Sequence, residues 1–209
     1  MTHYTVGILI PTEKLPQAKQ FIAEQLAPYD EKLQVAPYIC YDLDQADVDR
    51  KCRIRDLELL LASDHKNYNV EYCRTSLRQL QDMTSQEFYE EYLQGHDLFD
   101  EECRPLSTYN PASRWDWYVI GGRWDGWLTG RETSTNSVDD NAAPVAEVLE
   151  NGRFPFALLT PDGQWHEKGK MGWFAIALNE KDDDVWQAEL RQILERYQDH
   201  HMVLVDAHI

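Results

Sequence analysis

The chain has 209 residues, 43% of them hydrophobic, and carries a formal charge of −17 from 37 acidic and 20 basic side chains. Such a charge repels a nucleic-acid backbone unless cations are concentrated locally. The longest basic cluster, RKCRIR at 50–55, is interrupted by Cys52 and Ile54 and flanked by acids, so direct nucleic-acid binding is not expected. No apolar run reaches the roughly 18 residues of a membrane span, and the first residues show neither a basic leader nor a small-residue cleavage site. A cytoplasmic protein without a membrane partner is expected.

In chain order, HYTVGILI at 3–10 is β-branched and aromatic and predicts a strand. KLPQAKQFIAEQLAPY places Leu15, Ala18, Phe21, Ile22 and Leu26 at helical spacing, with Pro16 in the first turn and Pro28 closing the segment. LQVAPYICY is extended, bent by Pro37 or held at a sheet edge. From 43 to 94 the pattern is helical and polar. One helix covers LDQADVDRKCRIRDLELLLAS, with Val48, Cys52, Leu57, Leu60 and Leu61 as its apolar side. A second starts at TSQE, where Thr84 and Glu87 match a capping box. Residues 95–114 read as a connecting loop, and the Thr, Ser, Asn and Asp content of 131–145 predicts a surface loop.

Toward the end of the chain, FPFALLTPDGQWHEKGKMGWFAIAL predicts two strands joined through TPDG, a favourable turn sequence. DDDVWQAELRQILERY predicts a helix with acids at its positively polarised start. His200 and His201 then read as a surface turn before a core strand, MVLVDAHI. Strands near both ends with helices between them predict an α+β fold, a mixed β-sheet with helices packed on it, in a single globular domain with an irregular middle.

Several chemistries lack their residues. Cys40, Cys52, Cys73 and Cys103 form no CxxC pair, so neither a zinc knuckle nor a redox motif is present, and no Cys-His signature recommends Cys40 or Cys103 as a nucleophile. There is no phosphate loop, no GxGxxG and no GxSxG. No metal-ligand set stands out, folding is expected not to need a metal, and the sequence leaves any cofactor unknown.

Three motifs remain. RWDWYVIGGRWDGW at 114–127 holds four of the chain's seven tryptophans. If the segment is extended, Trp115, Trp117 and Val119 share one face. Gly121 and Gly122 permit a positive-φ turn, and Arg123 can bind an anion, lie on an indole, or neutralise Asp116 or Asp125. WHEKG at 165–169 offers Trp165, His166 as a base, Glu167 as an orienting carboxylate and Lys168 as an electrostatic clamp. In VLVDAHI, strand alternation puts Asp206 beside His208, where a carboxylate can orient an imidazole.

The combination YNPASRWDWYVIGGRWDGW, LLTPDGQWHEKGKMGWF and VDAHI, with APYDE at 27–31, resembles a family of bacteriophage and bacterial proteins of unknown function. The resemblance implies relatives and no activity. The family pattern often has cysteine where Ala207 stands here, so a thiol mechanism at that position has no residue to use.

Two functions are expected from these residues. One is a small-molecule or nucleotide-binding protein with Trp115, Trp117, Arg123, Trp165 and Lys168 as ligand contacts and His166, Asp206 and His208 as catalytic groups. It would be a hydrolase or transferase acting on a small anionic ligand at a phosphate or glycosidic centre. The alternative is an acidic phage-type interaction protein that inhibits a host protein by nucleic-acid mimicry. The first requires the segments 115–124, 165–173 and 204–208 to meet in space.

Overall fold

The structure, a computed structural model, describes residues 2–63, 68–171 and 177–209. The chain divides into two compact units, one formed by Met1–Gln34 with Tyr109–Ile209 and the other by Val35–Thr108. The fold class is α+β. Among the described residues, no helix is long and apolar enough to cross a membrane.

The first unit is built on two long strands, β1 (His3–Pro11) and β10 (His200–His208), which pair antiparallel over their whole length. β1 also pairs in parallel with β6 (Ala157–Leu159), which pairs antiparallel with β7 (Trp165–Glu167). On the other side of β10 lie β4 (Trp117–Ile120) and β5 (Ala142–Pro144), both antiparallel to it. The resulting order β4-β10-β1-β6-β7 is a mixed sheet. His200 and His201 belong to β10 itself, where the sequence predicts a turn.

Strand alternation sends side chains to two cores. Tyr4, Val6, Ile8 and Ile10 of β1, with Val203, Val205 and Ala207 of β10, face α1 (Ala18–Leu26), which contributes Ala18, Ile22 and Leu26. Leu9, Leu158, Met202 and Leu204 face α6 (Val145–Asn151) and α7 (Asp183–Leu194), which bury Val145, Val148, Trp186, Leu190, Ile193 and Leu194. A sheet covered on both sides has apolar residues on both strand faces, which explains the unbroken run TVGILI. The predicted TPDG turn joins β6 to β7, with the Gly163 amide donating to Thr160 O at 2.9 Å.

The polar stretch 131–145 is not a plain surface loop. It contains a short helix, α5 (Val138–Asn141), and β5, whose residues pair with β10. Its polar side chains are used internally. Thr135 and Ser137 hydroxyls donate to Asp140, and fully buried Asn141 donates to Asp125 Oδ1 and to Ser137 O while accepting from the Gly126 amide.

The second unit consists of α2 (Leu43–Ala62), α3 (Val70–Asp82) and α4 (Ser85–Leu93), with a two-stranded ribbon of β2 (Tyr38–Ile39) and β3 (Leu106–Ser107). The predicted capping box is present, Thr84 and Glu87 each satisfying the other's backbone amide. α2 differs from expectation in its buried side. The predicted Cys52, Leu57, Leu60 and Leu61 are half-buried, but Val48 is exposed and the fully buried residue is Ala46, whose small side chain lets a neighbour approach closely.

Candidate functional site

The end of the sheet that carries His3, Trp117 and His208 gathers two imidazoles, two carboxylates and an indole. His3 and His208 are directly opposite on β1 and β10, and Trp117 is directly opposite His208 on β4. Alternation brings Asp206, one pair further in, to the same face. The rings form one packed set. Trp117 stacks on His208 at 5.2 Å between centroids, and His3 meets both rings edge-on, at 5.2 Å from Trp117 and 5.1 Å from His208.

Each imidazole is held by its own carboxylate. His3 Nδ1 lies 2.9 Å from Asp206 Oδ1, and His208 Nδ1 lies 2.6 Å from Asp116 Oδ1. An ionised carboxylate can only accept, so Nδ1 carries the proton in both rings and Nε2 is left as the basic nitrogen. His208 Nε2 is buried and makes no hydrogen bond, in a residue that is only 5% exposed. Leaving such an atom unsatisfied costs about 1–3 kcal/mol, a cost that a hydroxyl donating to Nε2 would recover.

Asp206 is 1% exposed and is fixed from a second side by the Arg123 amide, which donates to Oδ2 at 3.0 Å. This contact explains the glycine pair. Gly121 and Gly122 have φ of 72° and 56°. A Cβ on Gly122 would lie 2.4 Å from Asp206 Cβ, and one on Gly121 would lie within 2.7 Å of Asn141 and Asp125 side-chain atoms. The turn lets a carboxylate and an amide side chain rest on bare backbone. Its amides are already engaged, Gly122 with Asn136 Oδ1 and Arg123 with Asp206, so it is not an anion-binding nest.

The Arg123 side chain itself is exposed and makes no ion pair among the described residues. Neither carboxylate that the sequence offers as its partner is available, since Asp116 takes His208 and Asp125 takes Asn141 and the Asn136 amide. No carboxylate among the described residues pairs with this guanidinium, which leaves it open to an external anion.

The tryptophans separate into different uses. Trp115 lies before the strand and packs with Tyr118 at 5.0 Å on the opposite face, its indole N–H donating to Leu26 O, so it does not share a face with Trp117. Trp124 and Trp127 pack against the core under α6 and α7. Only Trp117 of the four is substantially open, at 40%.

WHEKG does not join this site. β7 is the opposite edge strand, three strands away from β10. His166 aligns through Leu158 and Gly7 with Leu204, four residues short of His208. With about 4.8 Å between strands and about 3.3 Å per residue, the two histidines are roughly 20 Å apart. The local partners also differ from those expected. Glu167 accepts from Trp165 Nε1 and Arg114 Nε, and Trp165 packs on Tyr29. Lys168 is bound at 2.6 Å to both Glu180 and Asp183, which hold its ammonium pKa above the usual value. His166, Trp165 and Lys168 thus line a separate recess of 380 Å³, where the clamp lysine is already neutralised. Residues 172–173, the end of that motif, lie outside the described residues.

The structure brings together Trp117, Asp206 and His208 of the predicted set, places Arg123 beside them through its backbone amide on Asp206, and leaves Trp115, Trp165, His166 and Lys168 elsewhere. It adds His3 and Asp116. His3 was detectable in principle, because HxT near the start and DxH near the end mirror each other once β1 and β10 are paired in register. Among the described residues no three His, Cys, Asp or Glu side chains converge as a metal-ligand set. No protein-family model, curated protein or solved structure matches the chain.

Proposed function

We propose that the sheet end around His208 binds a small phosphate ester of nucleotide type and cleaves or transfers its phosphoryl group by general acid–base catalysis. The observation that carries this is His208 itself, with Nδ1 pinned by Asp116, one ring face on Trp117 and Nε2 buried without a partner. Arg123 clamps the non-bridging oxygens, and the open side of Trp117 carries the planar base. Nε2 of His208 takes the proton of an attacking hydroxyl as its oxygen bonds to phosphorus. His3, after its Nε2 has taken up a second proton from solvent, gives that proton to the departing oxygen as the old P–O bond breaks. A phosphate centre is favoured over a glycosidic one, because glycosidases need two carboxyl groups free to face the sugar. Asp116 and Asp206 are both engaged by imidazoles.

The test is a thermal-shift panel of adenosine and guanosine mono-, di- and cyclic phosphates, followed by ³¹P NMR of any ligand that binds. Wild type is expected to gain melting temperature, a ligand at a hundred times its Kd adding about 2.7 kcal/mol. Arg123→Ala and Trp117→Ala are expected to lose the shift, Arg123→Ala while melting normally without ligand. His208→Gln is expected to retain the shift and release no product. No shift with any member of the panel, or an equal shift in the two binding variants, refutes the proposal.

A further inference from the structure

The second unit contains a pair of groups that the sequence keeps far apart. Cys40, just after the β2 strand, and His96, just beyond α4, are separated by 56 positions, yet Sγ lies 3.2 Å from His96 Nε2. Two other groups face the sulfur. The Tyr92 hydroxyl is at 3.8 Å, and Pro105 O at 3.5 Å accepts from the thiol. These contacts serve two protonation states. The neutral thiol donates to Pro105 O, and a thiolate accepts from the imidazolium and from the Tyr92 hydroxyl.

The surroundings keep the pair intact. His96 is held by rings rather than by a carboxylate, with Tyr92 at 4.9 Å and Phe99 at 6.3 Å. Tyr92 in turn packs on Tyr41 at 4.0 Å. Burial, with the hydrogen bond to Cys40 next, pushes the Tyr92 hydroxyl up to about 12, so it remains a donor at physiological pH. The charged neighbours are otherwise occupied. Asp42 accepts from the Gln45 amide, Asp49 from Tyr41 and the Gln45 side chain, and Asp100 from Arg104. Cys40 is partly exposed, as a thiol that meets a solute must be. The other three cysteines have no side-chain hydrogen bond among the described residues, and of these Cys103 is the exposed one.

We propose that Cys40 and His96 form a thiol–imidazole pair that exchanges with small-molecule disulfides, so that Cys40 becomes reversibly S-thiolated. His96 Nε2 takes the proton of Cys40 Sγ, and the thiolate attacks one sulfur of the incoming disulfide. The Cys40 S–S bond forms as the disulfide's own S–S bond breaks, and His96 returns the proton to the departing thiolate. One disulfide and one thiol enter, and one mixed disulfide and one thiol leave.

The experiment treats the full chain with 2,2′-dithiodipyridine at pH 6.5 and maps the thiopyridyl adducts by peptide mass spectrometry. Cys40 is expected to react at least tenfold faster than the more exposed Cys103, and His96→Gln is expected to remove that lead. Faster or equal reaction at Cys103, or an undiminished lead in His96→Gln, overturns the proposal. Should His96→Gln fail to fold, the wild-type pH profile decides instead. The ratio of the Cys40 rate to the Cys103 rate should grow as the pH is lowered from 8 to 6, and a constant ratio overturns the pair.

Discussion

Gly122 has a positive φ of 56° and lies against the Asp206 side chain, so replacing it by alanine separates a backbone effect from a site effect. Placing a Cβ at such a φ costs about 1–2 kcal/mol by itself. At Gly122 the new atom would also lie 2.4 Å from both Cβ and Oδ2 of Asp206. Asp206 cannot retreat, being 1% exposed on a strand paired on both sides, so its carboxylate must swing away from the Arg123 amide or from His3. One hydrogen bond to a charged group is worth about 1.5–3 kcal/mol. Gly122→Ala is thus expected to lose about 2.5–5 kcal/mol in urea unfolding at pH 7.5, with an unchanged m-value.

Gly163 supplies the control. Its φ is 80° and nothing lies within 4 Å of a Cβ built there, so Gly163→Ala should lose only the backbone part, about 1–2 kcal/mol. In an Asp206→Gly background, with the opposing Cβ and carboxylate gone, the penalty of Gly122→Ala should fall toward the Gly163 value. Equal losses at Gly122 and Gly163 in the otherwise wild-type chain would refute the close approach of Asp206 as the reason for the glycine.

Two further substitutions probe the polar framework. Asn141→Ala removes a fully buried side chain that joins Asp125, Ser137 and the Gly126 amide, and should cost about 2–4 kcal/mol in urea unfolding while opening 131–141 to limited proteolysis. Thr84→Ala removes the α4 cap and should cost about 1 kcal/mol at pH 7, read by the same denaturation. Hydrogen bonds from the Thr84 amide first, and then from its hydroxyl, hold the Glu87 carboxyl below its usual pKa. That contribution is complete above the ordinary carboxyl pKa and disappears as pH falls through the depressed one. The gap between wild type and Thr84→Ala should therefore narrow in acid, and a gap that widens below pH 4 would contradict the assignment.

Local rules were enough for part of this molecule. TSQE is a cap because four consecutive residues close it, and TPDG is a turn for the same reason. The side-by-side placement of Asp206 and His208 needed only strand alternation. What failed needed information from elsewhere in the chain. His3 reaches Asp206 across 203 positions, through a register that no local pattern contains. The polar composition of 131–145 suggested solvent, yet Thr135, Ser137 and Asn141 spend their hydrogen bonds on Asp125, Asp140 and nearby backbone. WHEKG looked like a companion to WDWYVIGGRW because both are dense in aromatic and charged residues. Density says nothing of sheet order, and β6 and β1 stand between β7 and β10.

The same long-range dependence has a consequence for the site. Its polar groups come from β1, from the segment before β4, from the glycine turn and from β10, and each imidazole is oriented by a carboxylate on a different segment. Asp206 lies at the junction, accepting from His3 on one oxygen and from Arg123 on the other, while its own Cβ rests on Gly122. None of these contacts can form until β10 is seated between β1 and β4, so the site and the sheet order together. A ligand that engages His208 and Arg123 would then bind only the assembled sheet, and its binding free energy would appear in full as added stability. Stability measured against ligand concentration is for that reason a sharper probe of this site than activity alone, since it would detect occupancy even in His208→Gln, where the proposed proton transfer has no base.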